Sequence, residues 1–182
     1  TLSPADLQTK ILNTLTDYTE GDLETFDRPF RHSKVLSLID NTDKSILNST
    51  ATVTMGKFFT PLIGTEASNR ISFNNRIYNP HPNHNIEQGG VITSTGFTLD
   101  PNTIYTENDT VTREYFFDDD GAGNVRLFYL DGLDRIYNPI SAGTVNYKEG
   151  IINLLPMNFL TVSNVDGASS TQVRVTAIPN SF

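Results

Sequence analysis

Residues 114–130 read EYFFDDDGAGNVRLFYL, two aromatic-rich runs that flank a polar segment with two glycines. Apolar runs joined by a short segment that contains glycine are typical of a β-hairpin. We therefore expect residues 114–117 and 125–130 to pair as antiparallel strands, with residues 118–124 as their connection.

Two further hairpins are predicted downstream. Residues 143–154 read GTVNYKEGIINL, in which Gly150 suits the turn between two apolar runs. Another hairpin is expected where residues 160–163 and 171–177 flank an Asp-Gly turn. Other strands are predicted, from the alternation of apolar and polar residues, at 46–55, 70–78 and 91–99.

The amino-terminal residues have the pattern of two helices. Ser3 is a good N-cap, and Pro4 suits the first position of a helix over residues 1–18. A second helix is predicted at residues 33–40, where apolar residues cluster before Asn41. The first helix has an apolar stripe formed by Leu7, Ile11, Leu12, Leu15 and Tyr18.

Helices followed by a run of strands predict an α+β fold. We expect a short amino-terminal helical segment followed by a mainly antiparallel β-rich region with several hairpins. The predicted division places a helix-helix-strand α/β subdomain at residues 1–56 and a β-rich subdomain at residues 57–182. We also expect the chain to be a piece of a longer polypeptide, the alternative being a processed mature protein.

Composition excludes several classes of function. The chain has 182 residues and no cysteine, which excludes disulfides, thiolate metal sites and cysteine nucleophiles. The net charge is −8, whereas a protein that binds duplex nucleic acid normally has a basic surface, so the composition speaks against that class. No apolar stretch approaches the roughly 20 residues that a membrane-spanning helix needs. The chain has 18 Asn and 23 Thr residues, and this uncharged polar content favours turns and strands over long surface helices.

Two clusters have the residue types of a cation site. Asp118, Asp119 and Asp120 offer the oxygen ligands that calcium prefers, but the EF-hand pattern fails because position 5 is alanine and position 12 is tyrosine. A solvated hairpin tip is therefore the favoured interpretation. His81 and His84 form an H-x-x-H pair in a polar loop, where two imidazoles could begin a metal site. We expect a surface loop there, and neither cluster is predicted to hold a metal.

No catalytic motif is present. The sequence lacks a G-x-S-x-G elbow, a P-loop and an H-E-x-x-H helix. Glu114 with one of the aspartates at 118–120 has the residue types of a glycosidase pair, but such pairs are common in a chain with 21 acids. The glycosylation sequons at Asn48 and Asn108 are expected by chance in an Asn- and Thr-rich chain. We therefore predict no enzyme activity, no catalytic residues and no cofactor.

Two other segments have an open interpretation. Residues 57–64 read KFFTPLIG, which is expected to be a core strand with a bend or, less favoured, a subunit contact. The pentapeptide Arg-Ile-Tyr-Asn-Pro occurs at residues 76–80 and again at 135–139. Because the flanking residues differ, a true structural repeat is the less favoured interpretation.

Four stretches together resemble the baseplate wedge proteins of T4-type contractile-tailed phages, within the baseplate J-like group. They are the helix at 4–18 with residues 30–40, the Thr-rich segment 46–55, the acidic hairpin at 115–126 and the GTVNY hairpin at 143–154. The order of the four is more specific than any one of them. The similar region would be a carboxy-terminal part of a longer chain.

The resemblance implies a structural protein of the virion, assembled in the host cytoplasm. It implies contacts with other baseplate proteins, a homodimer that links wedge subunits, and neither nucleic-acid binding nor membrane insertion. The alternative from the residues alone is a β-rich receptor- or glycan-binding module. That alternative requires exposed aromatic side chains, for which Tyr78, Tyr105 and Tyr137 are the candidates.

Overall fold

The computed structural model describes residues 2–24, 30–83, 90–103, 105–106 and 111–180. The chain divides into two compact units, Thr1–Val53 and Thr54–Phe182, which we call the helical unit and the β unit. Helices and strands follow in the order that the sequence predicts, so the α+β class is confirmed. The predicted subdomain boundary after residue 56 remains a prediction.

The helical unit contains α1 (Pro4–Tyr18) and α2 (His32–Asp40), with one π-helical turn at Thr19–Leu23. Ser3 caps α1 as predicted, because its hydroxyl accepts a hydrogen bond from the Asp6 amide at 3.2 Å. Among the described residues of this unit, Tyr18 is the one apolar side chain that is buried. The other apolar residues of the α1 stripe are half-buried or exposed. Leu12, which widens the apolar stripe in the sequence, is mostly exposed.

The β unit is built from strands β1 to β11. In chain order their bounds are Met55–Phe59, Ala67–Ser72, Ile92–Ser94, Phe97–Leu99, Tyr115–Asp119, Asn124–Asp131, Asp134–Tyr137, Gly143–Asn146, Ile151–Met157, Phe159–Val162 and Val173–Ala177. They form a three-stranded sheet in the order β1-β11-β3 and an eight-stranded sheet in the order β10-β4-β5-β6-β8-β9-β2, with β7 beside β6. Every pairing between these strands is antiparallel.

Both upstream hairpins form where the sequence predicts them. In the first, β5 and β6 pair with Phe117 opposite Leu127. In the second, β8 and β9 pair with Val145 opposite Ile152, and Gly150 has the positive φ of 66° that its turn needs. A Cβ at Gly150 would lie 1.8 Å from the backbone oxygen of Asn75, so this turn is also closely packed.

The core of the β unit lies between the two sheets and is rich in phenylalanine. Phe97 packs at 4.6 Å from the ring of Phe117 and at 5.0 Å from that of Phe159. Val173 and Val175 of β11 contribute from the smaller sheet, and both are buried. Alternating apolar side chains of both sheets thus meet in one cluster, as expected for packed antiparallel sheets.

Four predicted strand features are wrong. The strand predicted at 70–78 is shifted, since β2 spans Ala67–Ser72. Residues 46–54 form no strand, and the strand that follows them begins only at Met55, where pairing with β11 starts. The segment 91–99 is two strands, interrupted at Thr95 and Gly96. The third predicted hairpin does not exist, since β10 pairs with β4 while β11 lies between β1 and β3. Alternation specified which side chains are buried but not which strand lies alongside.

No helix in the described part of the chain has both the length and the apolar character needed to cross a lipid bilayer.

Candidate functional site

The acidic hairpin at β5–β6 contains two buried carboxylates. Asp118 and Asp119 are both 0% exposed, so the predicted solvated tip is wrong for these two residues. Both belong to β5, which extends two residues further than predicted. Each carboxylate must be compensated by nearby donors, since an unpaired buried charge would be very costly.

Asp118 is the centre of a network formed with Arg126, Arg135 and Tyr137, which we call the aspartate network. Arg126 lies directly opposite on β6 and donates from Nε at 2.8 Å and from Nη2 at 3.1 Å. On β7, Arg135 Nη1 donates at 2.9 Å and the Tyr137 hydroxyl at 2.7 Å. Burial raises the pKa of the Asp118 carboxyl, and the hydrogen bonds and charges of the arginines oppose that rise. The network therefore ties β7 to β5 across β6.

Aromatic rings extend the aspartate network along the same face. The Arg126 guanidinium lies 4.4 Å from the Tyr137 ring centroid, and that of Arg135 lies 4.7 Å from the Phe128 centroid. Phe128 in turn stacks on Phe116 at 5.6 Å. Cation–π contacts of this kind stabilise arginine side chains that are partly withdrawn from water.

Asp119 points to the other face of β5 and is held differently. It accepts a hydrogen bond from the Ile92 amide at 2.9 Å and one from the Tyr147 hydroxyl at 2.6 Å. Burial, followed by the contact with Asp119, raises the pKa of the Tyr147 hydroxyl, which therefore stays a donor. A Cβ at Gly90 would lie 1.7 Å from Asp119 Oδ1, so only glycine fits there.

Asp120 begins the connecting turn and organises it. Its carboxylate accepts from the amides of Ala122 at 2.8 Å and Asn124 at 2.9 Å, and from the Asn124 side chain at 2.7 Å. Burial raises the pKa of the Asp120 carboxyl, but these hydrogen bonds stabilise the charged form more strongly, so the pKa is lowered overall. The three aspartates thus have different roles: Asp118 forms ion pairs, Asp119 accepts a hydrogen bond from a buried hydroxyl, and Asp120 stabilises the turn. Within the described residues no group of three or more His, Cys, Asp or Glu side chains is placed to hold a metal ion.

The two copies of the pentapeptide both contact this hairpin, but in different conformations. In the first copy, Ile77 is buried and the Asn79 side chain donates to the Gly121 carbonyl at 3.1 Å. In the second copy, which forms β7 and the residues after it, Ile136 is exposed and Tyr137 binds Asp118. The burial of the isoleucine is opposite in the two copies, so the less favoured repeat interpretation is not supported.

The remaining candidate residues are dispersed. His81 lies in an exposed turn and its partner His84 falls outside the described residues, as does the sequon at Asn108. Glu114 is exposed and contacts the Ser163 hydroxyl, whereas the buried aspartates nearby serve the hydrogen bonds given above. Asn48 is exposed.

The tyrosines predicted for a glycan platform are largely covered. Tyr105 is 4% exposed, and burial raises the pKa of its hydroxyl. Tyr78 and Tyr137 are half-buried. Tyr105 and Tyr137 do line one cleft of about 180 Å³ together with Tyr115 and Tyr129. Tyr105 is therefore too deeply buried to present an open ring face to a sugar.

The segment 57–64 places apolar side chains on the surface, against the favoured interpretation of a core strand. Phe59 is buried, but Phe58, Leu62 and Ile63 are 51%, 62% and 53% exposed. We call these three residues the 58–63 surface. The backbone after them is fixed, because the Gly64 amide donates to the Phe159 carbonyl at 2.8 Å. Exposed apolar groups on a fixed backbone are typical of a protein–protein contact.

Comparison with known proteins identifies relatives among phage baseplate components. Residues 1–57 match the family described as baseplate structural protein gp6, C-terminal domain III. The chain is also 25% identical to the baseplate wedge protein gp6 of Enterobacteria phage T4 over 166 residues, which is 88% of this chain and 23% of that protein. The chain therefore spans less than a quarter of the length of this curated relative. Both findings confirm the resemblance that the sequence motifs indicate.

Proposed function

We propose that this chain is a structural component of a contractile phage tail baseplate, where it links wedge subunits through protein–protein contacts. The similarity over most of the chain to a baseplate wedge protein is the observation that carries the proposal. The proposed role is non-enzymatic and requires no cofactor, nucleic acid or membrane insertion. Its place is the virion, in contact with other baseplate proteins, after assembly in the host cytoplasm.

Surface chemistry supports a role in assembly. In the helical unit the apolar residues of α1 and α2 are at most half-buried, apart from Tyr18, so this unit retains apolar area that a partner can cover. The 58–63 surface adds exposed apolar side chains on the β unit. The β unit itself has a closely packed core, and such a core suits a rigid structural subunit that contacts neighbouring proteins.

We further propose that the chain forms a homodimer and that the 58–63 surface is its contact. Self-association through identical apolar patches is the commonest arrangement of symmetric dimers. Light scattering over protein concentrations from about 1 to about 200 µM tests this, with dimer formation expected in that range. Leu62→Asp should shift the chain to monomer, because a buried aspartate without a partner is strongly unfavourable.

Leu155→Asp is the matched control, since Leu155 is 46% exposed and lies on a different strand, β9. It should dimerise like the unchanged chain. A chain that stays monomeric throughout, and that also binds none of the other purified tail proteins of its phage, would refute the assembly role. Equal effects of the two substitutions would instead refute only the assignment of the 58–63 surface.

A further inference from the structure

The β6–β7 hairpin ends in a two-residue turn that places a leucine in solvent. Asp131 and Asp134 are the last paired residues, and Gly132 and Leu133 connect them. Gly132 has φ of 62°, as the first central position of a type II′ turn requires. The Leu133 side chain is 99% exposed, so it contributes no packing to the chain itself. A polar residue would satisfy this turn equally well.

Apolar side chains continue from this leucine down the hairpin. Leu130 is opposite Arg135 and Ile136 is opposite Tyr129, so these two apolar residues project from opposite faces of the pair. Both are exposed. We call Leu130, Asp131, Leu133, Asp134 and Ile136 the hairpin tip. It offers apolar surface at its end and on both sides, which burial against another protein would remove from water.

The charges of the hairpin tip specify what kind of protein fits it. Asp131 and Asp134 are directly opposite each other, and like charges in that position destabilise a strand pair. Neither carboxylate has an ion-pair partner in the part of the chain that the structure describes. A basic neighbour would relieve this repulsion, whereas a second copy of the tip would bring four carboxylates together.

The base of the hairpin is fixed by the aspartate network. Arg135 and Tyr137 of β7 both donate to Asp118 on β5, at 2.9 and 2.7 Å. The tip is thereby presented on a backbone that needs little further ordering, which lowers the entropic cost of association. This gives the buried network a role outside the core, in holding β7 against the large sheet.

We propose that the hairpin tip binds a partner protein by inserting Leu133 into an apolar pocket whose rim is basic. The inference rests on the proposed function in one respect: the partner is taken to be another protein of the same tail. It is distinct from the homodimer contact assigned to the 58–63 surface. The tip acts as the apolar anchor, and the two aspartates select the partner by charge.

The test is a binding titration of the full chain against each of the other purified tail proteins of its phage. Leu133→Ser should weaken binding to one of them by about tenfold or more, since a central apolar anchor is lost. Leu47→Ser is the matched control, because Leu47 is 96% exposed but lies in the helical unit. Both substitutions replace exposed side chains, so thermal unfolding should stay unchanged and show that each variant is folded.

Charge provides the second arm of the experiment. Asp131→Asn combined with Asp134→Asn should weaken the same interaction and reduce its dependence on salt between about 50 and about 300 mM NaCl. Leu133→Met should retain binding, because methionine is an apolar side chain of nearly the same volume as leucine.

The possible outcomes separate this inference from the proposed function. Binding to a tail protein that Leu133→Ser leaves unchanged overturns the hairpin tip alone and leaves the assembly role standing. If Leu133→Ser instead abolishes self-association, the tip is a contact between copies and the basic partner is wrong. Failure of every tail protein to bind with a Kd below about 100 µM overturns the hairpin tip and counts against the assembly role as well.

Discussion

The helical unit and the β unit bury their apolar residues to very different degrees. In the β unit, side chains such as Phe97, Leu127 and Phe159 are fully enclosed between two sheets. In the helical unit, an equally regular apolar pattern on α1 leaves most of its residues half-exposed, and only Tyr18 among the described ones is buried. An amphipathic pattern therefore indicates that an apolar face is stabilised when another surface covers it. It does not indicate that the covering surface belongs to the same unit.

The same contrast applies to the charged groups. The β unit withdraws the Asp118 carboxylate from water and compensates it with two arginines and a tyrosine. In the helical unit, one ion pair joins Lys10 to Asp43 at 3.3 Å and is partly exposed to solvent, with 51% and 21% of the two side chains accessible. Buried pairs resist disruption because breaking them strands a charge, whereas exposed pairs exchange readily with water.

The largest expected effect comes from core truncation. Phe117→Ala should lower the free energy of unfolding of the β unit by about 3–5 kcal/mol, because it leaves a cavity beside Phe97. Ile11→Ala in α1 should cost about 1 kcal/mol or less, since that side chain is only half-buried. Urea unfolding followed by circular dichroism measures both. Equal costs would show that the helical unit has a core comparable to that of the β unit.

The next effect in size concerns the two ion pairs. Asp118→Ala should destabilise the β unit by about 2–4 kcal/mol, less than the loss of a fully buried pair, because Arg126 and Arg135 keep some contact with water when the carboxylate is removed. Lys10→Ala should change the free energy of unfolding by less than about 1 kcal/mol, since the Lys10 side chain is half exposed and its pair with Asp43 is screened by water. A small cost for Asp118→Ala would mean that water or a neighbouring group takes over from the carboxylate, and the contrast between the units would weaken.

The smallest expected effect is on the acid side of the stability curve. The pKa of Asp120 is lowered from its usual 3.8 in the folded chain, so its contribution is present above about pH 4 and is lost as the pH falls through the lowered value. Asp120→Asn should therefore lower the free energy of unfolding at neutral pH, and its difference from the unchanged chain should shrink as the pH falls below 3.8 and through the lowered pKa.

Asp43 provides the control for this measurement in the helical unit. Like that of Asp120, the pKa of Asp43 is lowered, here by hydrogen bonds from Ser45 and then by the contact with Lys10. Asp43→Asn should nevertheless leave the acid unfolding of the β unit unchanged, because the two residues lie in different units. A flat pH dependence of the difference for Asp120→Asn would contradict the role of its carboxylate in the turn.

Sequence reasoning succeeded where local rules are sufficient. The N-cap at Ser3, the two helices, and the hairpins at β5–β6 and β8–β9 follow from capping, apolar spacing and glycine placement within about a dozen residues. It failed for the pairing of β10 and β11, whose partners β4, β1 and β3 lie far away in the chain. Sequence alternation carries no information on which distant strand will be the neighbour.

Composition and motif order determined the fold class, the absence of cysteine chemistry and the resemblance to baseplate wedge proteins. Only the tertiary structure decided what the acidic run does. From residues alone, Asp118, Asp119 and Asp120 are three equivalent acids at a hairpin tip. In the fold they point to opposite faces of β5 and into the turn, because successive side chains of a strand alternate. Each then meets donors from distant segments, such as Arg135 and Tyr147, that no local pattern places beside them.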